Sequence, residues 1–133
     1  MRRRFGGAPV ATLGTLTPSG SPHVVPITFS VDGDTLYTLV DRKPKTTEQL
    51  ARLDNIRGDS RVTVIAHHYD DDWSNLWWVR VDGTARVIGP GPDRDRALVT
   101  LQDKYPQYRS AAPKGAGIVV SITGWRSWSA SGS

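Results

Sequence analysis

The chain has 133 residues and no cysteine, which excludes disulfides, thiol catalysis and thiolate metal sites. Seventeen Lys and Arg against thirteen Asp and Glu leave a formal charge of +4 and a pI near 9.8, which favours anionic partners without choosing among them. The length suits a single domain, 1–133, with its own core; no apolar run approaches a signal sequence or a membrane span, so a cytoplasmic protein is expected.

The start, "MRRRFGG", is basic with no apolar region behind it, and residues 1–8 read as a ragged terminus. "VATLGTLTP", Val10 to Pro18, is the first strand, and "SGSP" is a turn. "HVVPITFSV", His23 to Val31, is the second; Pro26 inside it argues for an edge, a bulge or a place where pairing stops. "DGD" then signals a hairpin into "TLYTLV". Leu50, Leu53 and Ile56 recur at a three-residue spacing, the stripe of a short helix ended by Gly58. "RVTVIAHH", Arg61 to His68, is a fourth strand. An acidic loop, "YDDDWSN", leads into "LWWVRVDGTARVIG", which is long for a straight strand and has Gly83 as a candidate bulge or bend. "PGPD" opens a second helix, with Ala97, Leu98 and Leu101 inward. "YPQYRSAAPKGAG" reads as a loop, and "IVVSITGWRSWSA" closes the chain as a last strand. Six strands, early hairpins and two short helices predict a mainly β fold, an antiparallel barrel or sandwich.

Two features stand out against ordinary readings. Arg42, Lys43 and Lys45 lie directly before a predicted helix. Cations there oppose the helix macrodipole, whereas free N–H groups at the same end suit an anion. A bound phosphate reconciles the two and engages Thr46 and Thr47; the alternative is a solvated basic loop shaped by Pro44. The second feature is Trp77–Trp78. Alternation sends one ring to the core and the other away from it. The outward ring needs a partner subunit or a planar ligand. "HHYDDD" has no recognised metal spacing, and adjacent strand histidines diverge, so no metal site is assigned. No serine lies in a nucleophile elbow, and no protein acid or base is assigned. Difficult chemistry is therefore left to a cofactor. Acids are spread through the chain and "YDDDW" sits beside the tryptophans, so nucleic acid is not an expected partner.

The succession "VATLGTLTPSGSPHVVPITF", "DGDTLYTLVDRKPKTTEQLARLDNI", "DWSNLWWVRVDGTARV" and "KYPQY" resembles the flavin and deazaflavin oxidoreductases of the split β-barrel type. These are relatives of pyridoxamine 5′-phosphate oxidase. The nearest likeness is to the branch of F420-dependent proteins found largely in actinobacteria. The resemblance covers nearly the whole chain after Val10. It implies a six-stranded antiparallel split barrel with small flanking helices, forming a homodimer with two cofactor grooves between subunits. It implies that the cofactor phosphate is held by Lys43, Lys45 and Thr46, with Thr47 and Arg42 nearby. Pro26 and Thr28 would line the groove, with Thr38 beside the ring system. Trp77 and Trp78 would approach from the partner subunit, and Trp125 near the end would also touch the cofactor.

The flavin mononucleotide (FMN) oxidases of this type usually carry Arg-Gln where this chain has Trp77–Trp78, and end in an Arg-His motif that "GWRSWSASGS" lacks. The resemblance therefore implies F420, a deazaflavin, as cofactor, and hydride transfer from its reduced form to an unsaturated or electrophilic small molecule. FMN is the alternative, as is a non-catalytic F420 carrier. The N-terminal helix common in such proteins is mostly missing here.

Overall fold

The computed structural model describes residues 1–40 and 47–132. Among these residues, seven strands form: β1 (Ala11–Leu16), β2 (Pro22–Ile27), β3 (Ser30–Asp32), β4 (Thr35–Leu39), β5 (Arg61–His68), β6 (Trp77–Ile88) and β7 (Gly117–Ser129). They make one sheet in the order β2-β1-β5-β6-β7-β4-β3, and every neighbouring pair is antiparallel. β2 and β3 stand at opposite ends of that order, yet only Thr28 and Phe29 separate them. Three Cα–Cα steps span at most about 11 Å, so the sheet curls until its ends meet at this corner. That closure is a barrel in which β2 and β3 are brought together without a ladder between them.

The predicted six strands become seven because the second divides. Up to Ile27 it pairs with β1, and from Ser30 it pairs with β4 instead. Pro26, opposite Thr12, lacks an N–H and sits on the strand that ends the sheet, the place in a sheet where proline is tolerated.

β6 and β7 carry the longest ladder, and it contains one irregularity. Asp82 pairs with Gly124 but Gly83 pairs with Ile122, leaving Thr123 as an extra residue on β7. Such a bulge bends the strands. A Cβ on Gly83 would lie 2.2 Å from the Ser121 carbonyl oxygen, so glycine is what allows the two backbones to approach.

The barrel interior holds Leu13, Phe29, Leu36, Val64, Val81, Ile118 and Val120, all 0% exposed. Helix α2 (Thr47–Gly58) adds Leu53 and Ile56 to this core; its buried Asn55 donates to Thr15 Oγ1 at 3.1 Å. Helix α3 (Pro92–Lys104) packs Ala97 and Leu101 on Tyr37, Leu39, Ile88 and Val119, with Leu98 half-buried beside them. β4 is thus covered on both faces.

Two further helices lie where none was expected. Residues 2–7, read as ragged, form α1 (Arg2–Gly7). Phe5 is fully buried in the barrel core, 5.0 Å from the Phe29 ring and 5.6 Å from the Trp125 ring. Three arginines and two glycines around one aromatic give no periodicity, so only the tertiary contact reveals the segment. The loop after α3 contains a single helical turn, α4 (Gln107–Ser110).

Candidate functional site

Burial settles the phase of β6. Val79, Val81, Gly83 and Ala85 face inward, so Trp77 shares their face and packs against the core. It stacks on His68 with centroids 6.5 Å apart, and the Arg4 guanidinium lies 6.0 Å from its ring centre. Trp78 points to the outer face, between His67 on β5 and Trp128 on β7. His67 and His68 diverge as strand neighbours must. Among the described residues, no group of three or more potential ligands is placed to hold a metal, and no helix is long and apolar enough to cross a membrane.

The corner that closes the barrel leaves the sheet ladder, so its backbone groups need other partners. The sequence "KYPQY" supplies most of them. The Phe29 N–H donates to the Tyr105 hydroxyl at 3.2 Å, and that hydroxyl donates to Pro9 O at 3.0 Å. Lys104 Nζ donates to Phe29 O at 2.9 Å and sits 3.8 Å above the Phe29 ring centre. Thr38 Oγ1 donates to Thr28 O at 2.7 Å. The Thr28 and Tyr108 hydroxyls share a hydrogen bond. The motif quoted for its family likeness is thus the clamp that holds the corner.

Burial lowers the Lys104 ammonium from 10.5 to about 8. From pH 8 towards 10.5 the unfolded chain keeps this proton while the folded chain releases it. Stability from this group therefore rises with pH across that window and is lowest below it. Measured against Lys104→Met, the wild-type thermal midpoint should climb between pH 8 and 10. The difference cancels the other titrating groups; a flat difference would show that Lys104 keeps its ordinary affinity for the proton.

The expected site residues that are described fall at three places on the barrel. Lys43, Lys45 and Thr46, with Arg42, lie outside the described residues. Thr38 is 1% exposed, and its hydroxyl is committed to the corner. Thr38 thus supports the corner behind Thr28, on a strand whose two faces are covered by α3 and the barrel core. Trp125 is half-buried under α1: its indole N–H donates to Asp34 Oδ1 at 3.0 Å, and the Arg2 guanidinium sits 4.4 Å from its ring centre. Arg2 also pairs with Asp34 at 2.8 Å, and Arg2 and Trp125 together hold that carboxyl below the usual range. Trp77 and Trp125 thus belong to the α1 end of the barrel, while Pro26 and Trp78 lie on the outer sheet face.

That outer face is a mixed surface. One row across it runs Pro26, Thr12, Ile65, Arg80, Arg126, and the next runs Val24, Gly14, Thr63, Asp82, Gly124. Val24 and Trp128 are 66% and 45% exposed. Around Gly14, whose missing side chain leaves a hollow, an open cleft of about 320 Å³ is lined by Leu16, His23, Val24, Arg61 and Thr63. It lies away from the tryptophans, so shape alone does not single out the residues the sequence pointed to. Arg80, Arg126 and Trp128, on the same face, were not singled out as site residues. The cross-strand pairing that groups them depends on the register after the bulge, which sequence does not show.

The fold and motifs match known proteins. The family model for pyridoxamine 5′-phosphate oxidase matches residues 1–129. Among solved structures, a conserved hypothetical protein from Mycobacterium tuberculosis superposes with a TM-score of 0.75 at 21% identity, covering 95% of this chain and 80% of its own. An FAD-binding protein from Mesorhizobium loti gives 0.68 at 18% identity, over 95% of this chain and 89% of its own. The heme storage protein of Vibrio cholerae gives 0.70 at 8% identity, over 96% and 92%. These likenesses, at such low identity, speak to the fold. No curated protein matches significantly. With nearly the whole chain matched, from the first residue to the end of β7, it belongs to the pyridoxamine 5′-phosphate oxidase family.

Proposed function

We propose that the chain is an F420-dependent reductase acting as a homodimer, with the cofactor held between two copies. The observation that carries this is the place of "DRKPKT". The twelve-residue helix α2 begins at Thr47, directly after these cations. Lysines that would oppose a bare helix start become favourable once an anion occupies it. Lys43, Lys45 and Thr46 would hold the anionic tail of the cofactor. When bound, reduced F420 supplies the hydride for an electrophilic acceptor. The chain's part is to hold and orient two flat molecules and to keep water out. No side chain is assigned as acid or base.

The sheet order supports a dimeric groove. Pro26 on β2 and Trp78 on β6 share the outer face but are separated by β1 and β5. Three strand spacings are roughly 14 Å, so one copy does not set both against the same ring edge. A second copy supplying Trp78 would set both there. The exposed apolar Val24 and Trp128 on that face fit such a contact.

The choice of F420 rests on Trp77–Trp78 in place of Arg-Gln and on the C-terminal sequence. The inward packing of Trp77 leaves Trp78 as the ring available to a ligand. Similarity to an FAD-binding protein favours FMN as the second reading, and similarity to a heme storage protein favours a carrier without turnover. Parallel spectroscopic titrations with F420 and FMN decide the first point: saturable binding of F420 and none of FMN is expected, and the reverse would overturn the choice. Oxidation of reduced F420 across an acceptor panel separates reductase from carrier. Sedimentation should show a dimer, and a monomer that still binds cofactor would remove the shared groove.

A further inference from the structure

We propose that the outer face of β5, β6 and β7 holds a flat organic carboxylate, with Arg80 and Arg126 on the carboxylate and Trp78 and Trp128 on the ring. Arg80 and Arg126 are direct cross-strand partners, and so are Trp78 and Trp128, one pair further along the same face. Like charges placed opposite each other on a sheet are unfavourable without a counter-charge. The nearest carboxylate, Asp82, stands 3.8 Å from Arg80 Nε and already accepts a hydrogen bond from Thr63 Oγ1 at 2.8 Å. Arg80 Nε–H is shielded from solvent and has no hydrogen-bond partner among the described residues. Arg126 is exposed and makes no ion pair or hydrogen bond among them. The Arg80–Arg126 pair thus has one nearby carboxylate, already engaged, which leaves a net positive charge on this face and one arginine donor unfilled.

The indoles supply the second half of the site. Two residues along a strand are about 7 Å apart, so a ring against Trp78 and Trp128 brings a carboxyl substituent within reach of both arginines. Arginine's planar fork matches a carboxylate in a way a lone lysine does not, and the indole faces suit a flat apolar body. The ligand class is therefore a planar aromatic or conjugated acid. This deepens the proposed reading by naming a substrate class, and it rests on that reading only for the ligand's role as hydride acceptor.

The test uses the full chain without cofactor and two probes of one shape, naphthoate and its uncharged amide, naphthamide. Arginine Nε–H and indole N–H signals are followed by NMR. Naphthoate should shift the signals of Arg80, Arg126, Trp78 and Trp128 and bind more tightly than naphthamide. Arg126→Gln, at an exposed position, should weaken naphthoate about tenfold, the worth of one charge-assisted bond, and leave naphthamide unchanged. Trp128→Ala should weaken both. Equal binding of the two probes, or unchanged naphthoate affinity in Arg126→Gln, would overturn the proposal. So would arginine signals that move with protein dilution and not with naphthoate, which would make this pair a contact between copies. F420 binding is measured separately, so a failure of the cofactor assignment and a failure of this site are read independently.

Discussion

Replacing Gly83 by alanine should destabilise the protein by about 3 kcal/mol or more, at or beyond the upper end of ordinary overpacking. The added methyl would lie 2.2 Å from the Ser121 carbonyl oxygen and 3.0 Å from its carbon. Both are backbone atoms, so no rotamer change relieves the clash. β6 and β7 must move apart at their bulge, where Val120 and Ile122 are buried. For a chain of this size the thermal midpoint should fall on the order of 10 °C. Gly124, on the other side of the same bulge, is the control. A Cβ there meets only Asp82 Oδ2 at 4.0 Å, so Gly124→Ala should leave the midpoint nearly unchanged. Equal effects from the two variants would mean that the glycines serve strand flexibility and not the close approach.

Changing Lys43 and Lys45 together to alanine should lower F420 affinity about a hundredfold or more while leaving the fold and the dimer intact. Each charge-assisted hydrogen bond contributes about 1.5–3 kcal/mol, and two such bonds together correspond to at least that ratio. The thermal midpoint should hold or rise slightly, because removing cations ahead of the α2 start relieves an unfavourable dipole contact in the absence of cofactor. Isothermal titration of the folded variant measures the first effect and a melt measures the second. Unchanged affinity would remove the phosphate assignment and leave the segment a solvated basic loop.

The legible parts of this protein were those governed by short-range pattern. Alternation at Arg61–His68 and along "WVRV" marked strands, because one face of each is buried and the other is not. The stripes through Leu53–Ile56 and Ala97–Leu101 marked helices for the same reason. Pro26 argues for an edge, a bulge or a stop in pairing, and its strand is the edge. Gly83 marks a candidate bulge or bend, and the bulge lies there. The family likeness rested on the order of these segments, and the matched family agrees with it.

What the tertiary structure alone decided depends on contacts between residues far apart in sequence. Trp77 and Trp78 are chemically identical neighbours, and only the burial of Val79 and Val81 says which ring turns inward. α1 has no periodicity of its own and exists because Phe5 fills the space between Phe29 and Trp125. Trp125, expected beside the cofactor, is engaged within the chain by Arg2 and Asp34. Thr38 became a support for the corner once α3 had covered β4. "KYPQY" looked like a loop, yet it holds the two residues that close the barrel. Periodicity reports which side of an element is buried; it carries no information about the partner that buries it. The sequence by itself determined a small antiparallel β fold, a barrel by its family likeness, with cations ahead of a helix, and only folding decided which side chains that barrel leaves facing outward.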